Sequence, residues 1–187
     1  MDFVSRAENK LKDAAEAFKY DFRGKLVLDI GSSTGGFTEY ALFRGAKKVI
    51  AIEKGTNQMK APLKYDERIE LHEKTDIFGV SLEQKPDTIL ADVSFISLKD
   101  VLAHAKVHLS DNHTDFLVML KPQFEARDSQ LNKGIVKNEK IRREIVKDFE
   151  NWLKNNGFII LKKRDNEFLG KNGNRERFYW LKIAHIS

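Results

Sequence analysis

Two short segments end in residues that can move protons or hold charge. "ILADVSFISL" (89–98) runs from apolar residues into Asp92, and "VMLKPQFEA" (118–126) runs into Lys121. A carboxylate and an amine at the tips of apolar runs suit general acid–base work or stabilisation of a developing alkoxide. Asp92 can equally be a helix N-cap, and Lys121 a surface cation whose stem lies along apolar neighbours. Pro122 weighs against the second option, because proline forces an extended residue before it and so fixes Lys121 at the end of its run. His104 and His108 have i, i+4 spacing, but no third ligand follows and Lys106 between them does not fit the HExxH pattern, so no metal is expected. There is no G-x-S-x-G elbow, and the chain has no cysteine, which removes thiolate nucleophiles, thiolate metal sites and disulfides.

A third segment, "LVLDIGSSTGGFT" (26–38), is an apolar run entering a glycine-rich turn. Gly31 to Thr38 matches a phosphate-binding P-loop except that Phe37 stands in the lysine position. The dinucleotide fingerprint fails as well, since Ser33 occupies the place of its second glycine. Asp29, expected at the mouth, would repel phosphate. A nucleoside bearing positive charge fits better, and S-adenosylmethionine carries both a sulfonium and an ammonium. The expected cofactor contacts are Asp29, Gly31, Ser32, Ser33, Thr34, Gly35, Gly36, Phe37 and Thr38 from the turn. Glu53 is placed for ribose hydroxyls, followed by Lys54, with Thr75 and Asp76 toward the adenine and Asp92 at the reacting end. A purely structural strand–turn–helix with a surface acid is the plainer alternative, and Asp76 could be a helix cap.

The elements that must position these residues alternate. A capping box, Ser5 with Glu8, opens a helix through about Phe18. Strands are expected at Leu26–Ile30, Val49–Ile52, Ile69–His72, Thr88–Asp92, Phe116–Leu120, Phe158–Lys163 and Glu176–Ile183. Helices are expected at Gly35–Arg44, Gln58–Tyr65, Leu98–His108 and Glu139–Asn155, with loops at Arg127–Lys137 and Leu169–Asn174. Unbroken apolar strands alternating with helices predict an α/β fold: a doubly wound, mostly parallel sheet of seven strands covered by helices on both faces. Its ligand crevice lies at the strands' carboxyl ends. The last two strands have no helix between them, so an antiparallel edge pair closes the sheet.

At 187 residues the chain reads as one domain, and 41% hydrophobic with 33% charged residues argues against disorder. The net charge of +5 hints at a polyanionic partner without requiring one. No apolar run approaches a membrane span and no secretory leader pattern is present, so the cytoplasm is the expected compartment and no membrane partner is expected.

The order of motifs resembles one family. "VSRAENKL", "LDIGSSTGGFTEYALFRGAKKV", "ADVSFISL", "LKPQFEA", "KGIV" and "GNRERFYWL" together look like the FtsJ-like ribosomal RNA 2′-O-methyltransferases, in the haemolysin TlyA-type subgroup. The resemblance implies a Rossmann-like, S-adenosylmethionine-dependent enzyme that methylates ribose 2′-hydroxyls of ribosomal RNA. By motif, its Lys-Asp-Lys-Glu tetrad falls on Lys10, Asp92, Lys121 and Glu176. The family usually has two glycines where this chain has Ala7-Glu8, which favours a more continuous first helix and could shift Lys10. The family also implies an S4-type RNA-binding domain ahead of the catalytic one. Here the motif starts almost at Met1, so the expectation is a single domain, 1–187, with an N-terminal helix (1–20) and a Rossmann-like core (21–187), lacking the S4 domain. RNA contacts are expected from Arg6, Lys133, Lys137, Arg142, Arg143, Lys171 and Arg175. Interspersed acids dilute that signal, and a solvated helix face would carry similar charges. Two alternatives stay open: a non-catalytic RNA- or ribosome-binding module with a relic cofactor pocket, and the membrane damage implied by the haemolysin name.

Overall fold

Apolar runs that carry no polar alternation have to be covered on both sides, and the chain supplies that cover by crossing the sheet after almost every strand. The computed structural model describes residues 6–167, 169–170 and 173–184. In chain order, α1 (Arg6–Phe18) leads to β1 (Leu26–Ile30), α2 (Gly36–Phe43), β2 (Lys48–Ile52), β3 (Ile69–His72) and β4 (Thr88–Ala91). Then come α3 (Leu98–His104), β5 (Asp115–Leu120), the single turn α4 (Pro122–Glu125), and a small hairpin of β6 (Leu131–Asn132) and β7 (Ile135–Val136). The long α5 (Glu139–Asn155), β8 (Phe158–Asp165) and β9 (Arg177–Ile183) finish the fold.

Seven strands form one sheet in the order β3-β2-β1-β4-β5-β9-β8. The pairs among β1 to β5 are parallel, and β9 runs antiparallel to both β5 and β8. Crossovers leave β1 toward β3 on one side and β4 toward β5 on the other, so a switch point opens between β1 and β4 at their carboxyl ends. This is the predicted architecture, including the antiparallel edge.

The two-residue period of a strand decides which face each side chain serves. Leu28, Ile30, Ile89, Ala91, Phe116, Val118, Tyr179 and Leu181 join Val101, Leu102, Phe149 and Leu153 in the core under α3 and α5. Val27, Val49, Leu90, Leu117, Met119 and Phe178 form the opposite core with Leu11, Phe18, Phe37 and Tyr40 of α1 and α2. Continuing that alternation past the strand ends assigns Asp29, Asp92, Lys121 and Glu176 all to the face covered by α1 and α2.

Three local expectations are corrected. The helix read over Gln58–Tyr65 is only a 3-10 turn at Leu63–Tyr65, because Pro62 has no N–H and disfavours helical geometry at the residue before it. The loop read at Arg127–Lys137 contains the β6–β7 hairpin, whose turn residues Lys133 (φ 49) and Gly134 (φ 78) take the paired left-handed geometry of a tight hairpin. The capping box lies partly outside the described residues. The Glu8 carboxylate itself is fully buried and finds no hydrogen-bond partner among them. The predicted α3 continues beyond His104 as a π-turn over Ala105–Leu109.

Candidate active site

The glycine turn after β1 is built to hold its own backbone. Gly31 takes φ +81, and a Cβ there would meet the Asp92 carbonyl oxygen at 2.9 Å, so only glycine lets this turn close onto the segment after β4. The N–H groups of Gly31 and Ser32 donate to the Ile52 carbonyl at 2.9 and 3.1 Å, and Gly35 N–H donates to Ser32 at 2.8 Å. Ser33 N–H donates to Glu53 Oε2 at 2.8 Å. Four of the turn's amides, those of Gly31, Ser32, Ser33 and Gly35, are therefore spent inside the protein, which agrees with the missing lysine.

Asp29 is not at the mouth. Strand alternation turns it to the α2 face, where it is 0% exposed and accepts a 2.6 Å hydrogen bond from Thr38 Oγ1. Burial pushes its carboxyl up to about 7, opposed by the Thr38 bonds and aided by the charges of Asp92 and Glu53. Its Oδ1 and the Ser32 hydroxyl have no hydrogen-bond partner among the described residues. Phe37 packs on Phe178 with ring centroids 5.8 Å apart, and Gly35, Gly36 and Thr38 are buried behind the turn. Thr34 lends its carbonyl to Lys60 N–H at 3.3 Å. These residues shape the turn and do not line the cavity in front of it.

That cavity, about 550 Å³, opens at the switch point. Gly31, Ser33, Glu53, Lys54, Thr75, Asp76 and Asp92 line it as expected, and Ile30, Ile52, Ile77, Phe78, Val93 and Ile96 give it apolar walls. Glu53 Oε1 also accepts from Gly55 N–H at 2.6 Å, which fixes the carboxylate at the end of β2. Asp76 caps the short turn Ile77–Gly79 and pairs with Lys54 at 3.0 Å. Lys54 holds that carboxyl below the usual range. The lysine is thus engaged by a carboxylate and does not offset a phosphate. Thr75 Oγ1 donates to the Glu73 carbonyl at 3.0 Å. The donor set fits an adenosine with a positively charged sulfur: carboxylates at both ends, apolar walls between, no cation left for a pyrophosphate.

The reacting end joins two ion pairs. Lys121 Nζ lies 2.6 Å from Asp92 Oδ1 and donates to Ser94 Oγ at 2.8 Å, with both charged groups largely buried. Lys10 Nζ lies 2.5 Å from Glu176 Oε2, and Glu176 is 3% exposed. The β5–β9 register, with Leu120 opposite Arg177, sets Lys121 opposite Glu176 one step further on. The continuous first helix therefore still brings Lys10 to Glu176. Just outside, Phe95 is 90% exposed at φ 66 and touches Phe124 at 5.2 Å. The serine and phenylalanine of "DVSFIS" were not read as functional, although strand parity alone would have pointed the segment into the crevice.

The basic residues divide. Lys133, Lys137, Arg143 and Arg175 are exposed. Arg143, Arg175 and Pro122 border a cleft of about 460 Å³ beside the ion pairs. Arg142 is corrected: it is 6% exposed, and its guanidinium is used by the Arg175 carbonyl, Glu139 and Asp165 at 3.0, 3.1 and 2.5 Å. Its place on the buried stripe of α5, one turn before Ile145 and Val146, turns it inward. The Arg6 side chain and Lys171 lie outside the described residues. His104 packs against Phe78 and His108, and the described residues contain no metal-binding cluster. No described helix is long and apolar enough to cross a membrane.

A doubly wound sheet with this strand order and a nucleoside-sized crevice carrying a Lys–Asp pair define a Rossmann-like methyltransferase. The chain belongs to the FtsJ-like methyltransferase family, whose pattern matches residues 3–183. It is 37% identical over 182 residues to the Campylobacter jejuni 23S rRNA (cytidine-2′-O)-methyltransferase TlyA, covering 95% of this chain and 70% of that protein. It is 36% identical over 184 residues to the Mycobacterium tuberculosis 16S/23S rRNA (cytidine-2′-O)-methyltransferase TlyA, covering 96% and 68%. A solved Streptococcus thermophilus structure described as a candidate hemolysin superposes with a TM-score of 0.93 at 31% identity, covering 98% of this chain and 68% of the other.

Proposed function

We propose that the protein transfers a methyl group from S-adenosylmethionine to a ribose 2′-hydroxyl of ribosomal RNA, in the cytoplasm. The observation that carries the reading is the buried Lys121–Asp92 pair at 2.6 Å, opposite the Lys10–Glu176 pair at 2.5 Å. A ribose hydroxyl is a weak nucleophile, so it must be aimed and relieved of its proton. Lys121 Nζ is the nitrogen placed to hold the 2′-oxygen: as an ammonium paired with Asp92 it stabilises the negative charge developing there, and as a neutral amine it takes the hydroxyl proton itself, becoming the ammonium that Asp92 then balances. Lys10 and Glu176 keep the neighbouring positive and negative charges fixed, which limits how far Lys121 can turn. Glu53 would hold the cofactor's ribose, Thr75 and Phe78 would border its base, and Asp92 would face its charged sulfur end. When bound, the cofactor supplies an electrophilic methyl on a sulfonium. Alignment of hydroxyl and methyl supplies much of the remaining acceleration.

The surroundings fit an RNA strand. Phe95 offers a flat apolar surface to a base beside the reacting ribose. Arg143 and Arg175 border the adjoining cleft, and Lys133 and Lys137 are exposed on the segment that also carries its wall residues Ile135 and Val136, with charges suited to backbone phosphates. The names of the two TlyA relatives support cytidine as the modified nucleotide. The deciding experiment incubates unmodified ribosomal subunits and naked ribosomal RNA with methyl-labelled cofactor and maps the label. Label on a ribose 2′-oxygen is expected. Label on a base, or no transfer to RNA, overturns the reading.

A further inference from the structure

We propose that Glu125 is a positioning residue that locks the two catalytic loops together and so sets the angle at which Lys121 meets the substrate hydroxyl. The inference rests on the ribose methylation reading. The segment after β4 carries Asp92, Ser94 and Phe95, whereas the turn after β5 carries Lys121 and Phe124. Neither segment can hold itself. Phe95 sits at φ 66, a costly conformation for an aromatic side chain that persists only when its surroundings enforce it. The α4 helix is one turn long, and a single turn is unfavourable without outside support.

Glu125 supplies that support. Its Oε2 accepts from the Ser97 hydroxyl at 2.8 Å and its Oε1 from Leu98 N–H at 2.6 Å. Ser97 is itself the N-cap of α3, accepting from Lys99 N–H. One carboxylate on the β5 side thus fastens the first turn of the helix that follows the β4 segment. The two contacts nearer the chemistry run in the same order along both segments: Lys121 to Ser94 at 2.8 Å, then Phe124 to Phe95 at 5.2 Å, then Glu125 to Ser97. Without the last tie, the first two rest on a lysine and on one ring contact at an exposed rim. Burial raises the Glu125 carboxyl above its usual range despite the two donors, so the fold keeps a partly desolvated acid here at some cost.

The test measures steady-state methyl transfer to ribosomal RNA by the full chain and its Glu125→Ala, Glu125→Gln and Ser97→Ala variants, with thermal melting of each. Displacing an aligned group by about 1 Å costs on the order of 10²-fold in rate, so Glu125→Ala is expected to lower kcat about 10–100-fold while KM for the methyl donor stays within about twofold. Glu125→Gln keeps an acceptor for Leu98 N–H and a partner for the Ser97 hydroxyl, and should recover most of the rate. Ser97→Ala removes the cap but leaves the Leu98 tie, so it should lower melting more than it lowers kcat. The proposal is overturned if Glu125→Ala turns over like the parent, if Glu125→Gln falls as far as Glu125→Ala, or if Ser97→Ala loses rate and stability in the same proportion. Should Glu125→Ala not fold, the Glu125→Gln and Ser97→Ala pair still decides. A parent chain that methylates no RNA defeats the functional reading instead, and so is told apart from failure of this one.

Discussion

The two ends of the sheet handle buried polar groups in opposite ways. At the amino end, Asp115 accepts from Trp180 Nε1 at 2.8 Å and from Tyr20 OH at 3.0 Å, with Lys25 at 3.2 Å and Lys182 at 3.3 Å. Tyr20 OH also meets Thr88 Oγ1 at 2.6 Å. Burial opposes the Asp115 charge, but these partners outweigh it and hold the carboxyl below its usual range. At the carboxyl end, Glu8, Asp29, Ser32 and Gln123 each keep a buried oxygen with no hydrogen-bond partner among the described residues, and Asp92 Oδ1 has only its ion pair with Lys121. Folds do not leave such groups idle without reason, since each costs about 1–3 kcal/mol when unsatisfied. The satisfied network fixes one structure, whereas the carboxyl end carries unsatisfied groups of which only Asp92 lines the cavity.

The contrast breaks most visibly at Lys121. Lys121→Ala should lower methyl transfer by about 10²–10⁴-fold, the usual share of a positioned acid–base group, while RNA binding stays close to the parent and the melting temperature falls because Asp92 loses its buried partner. Labelled transfer and filter binding on the same preparation check this. A variant that still methylates would show that the two ion pairs serve only the fold. The reciprocal change is Asp115→Ala, which strands the partners of a buried charge and should cost about 3 kcal/mol in urea denaturation. Below its lowered melting temperature, kcat should hold. Loss of kcat without loss of stability would erase the distinction between the ends.

Much of this division was legible in the sequence. Apolar strands without alternation announced the double cover, and Asp92 and Lys121 stood at strand ends before any geometry was known. Strand parity also tells where the four ion-pair residues and Asp29 point, yet placing Asp29 at the mouth of the turn neglects it. Counting from Val27 would have placed it under α2. Arg142 misled for a similar reason: composition counts its charge, while the i, i+3 and i, i+4 stripe of α5 buries it. Long-range ties were out of reach. Nothing local couples Glu125 to Ser97, and nothing near Lys10 announces Glu176, because the register of β5 against β9 and the lie of α1 are set by packing across the whole chain.

Asp29 tests the carboxyl end in the other direction. Its folded pKa of about 7 stands above the unfolded value, so the folded state holds the extra proton between them. Its contribution to stability is complete below about pH 4 and is lost as the pH rises through about 7. Asp29→Asn keeps an acceptor for Thr38 and removes the titration. It should therefore gain about 1–3 kcal/mol over the parent at pH 8, and little at pH 4. A variant equally stable relative to the parent at both pH values would mean that the buried acid is not held neutral.

The smallest effect concerns the rim. Arg175 is exposed beside the cleft, two residues before β9 and immediately before Glu176, whereas Lys182 near the other end of that strand sits with Asp115. Arg175→Glu should raise KM for RNA about 3–10-fold and flatten its salt dependence by about one unit of slope, with kcat at saturating RNA unchanged. Lys182→Ala should leave both readings alone, even though it removes a cation from β9, the strand that Arg175 leads into. The two residues are told apart by which end of that strand they flank. Equal effects would place the RNA along the edge of the sheet and not across its carboxyl end, and Lys121 would then face a strand arriving from a different direction.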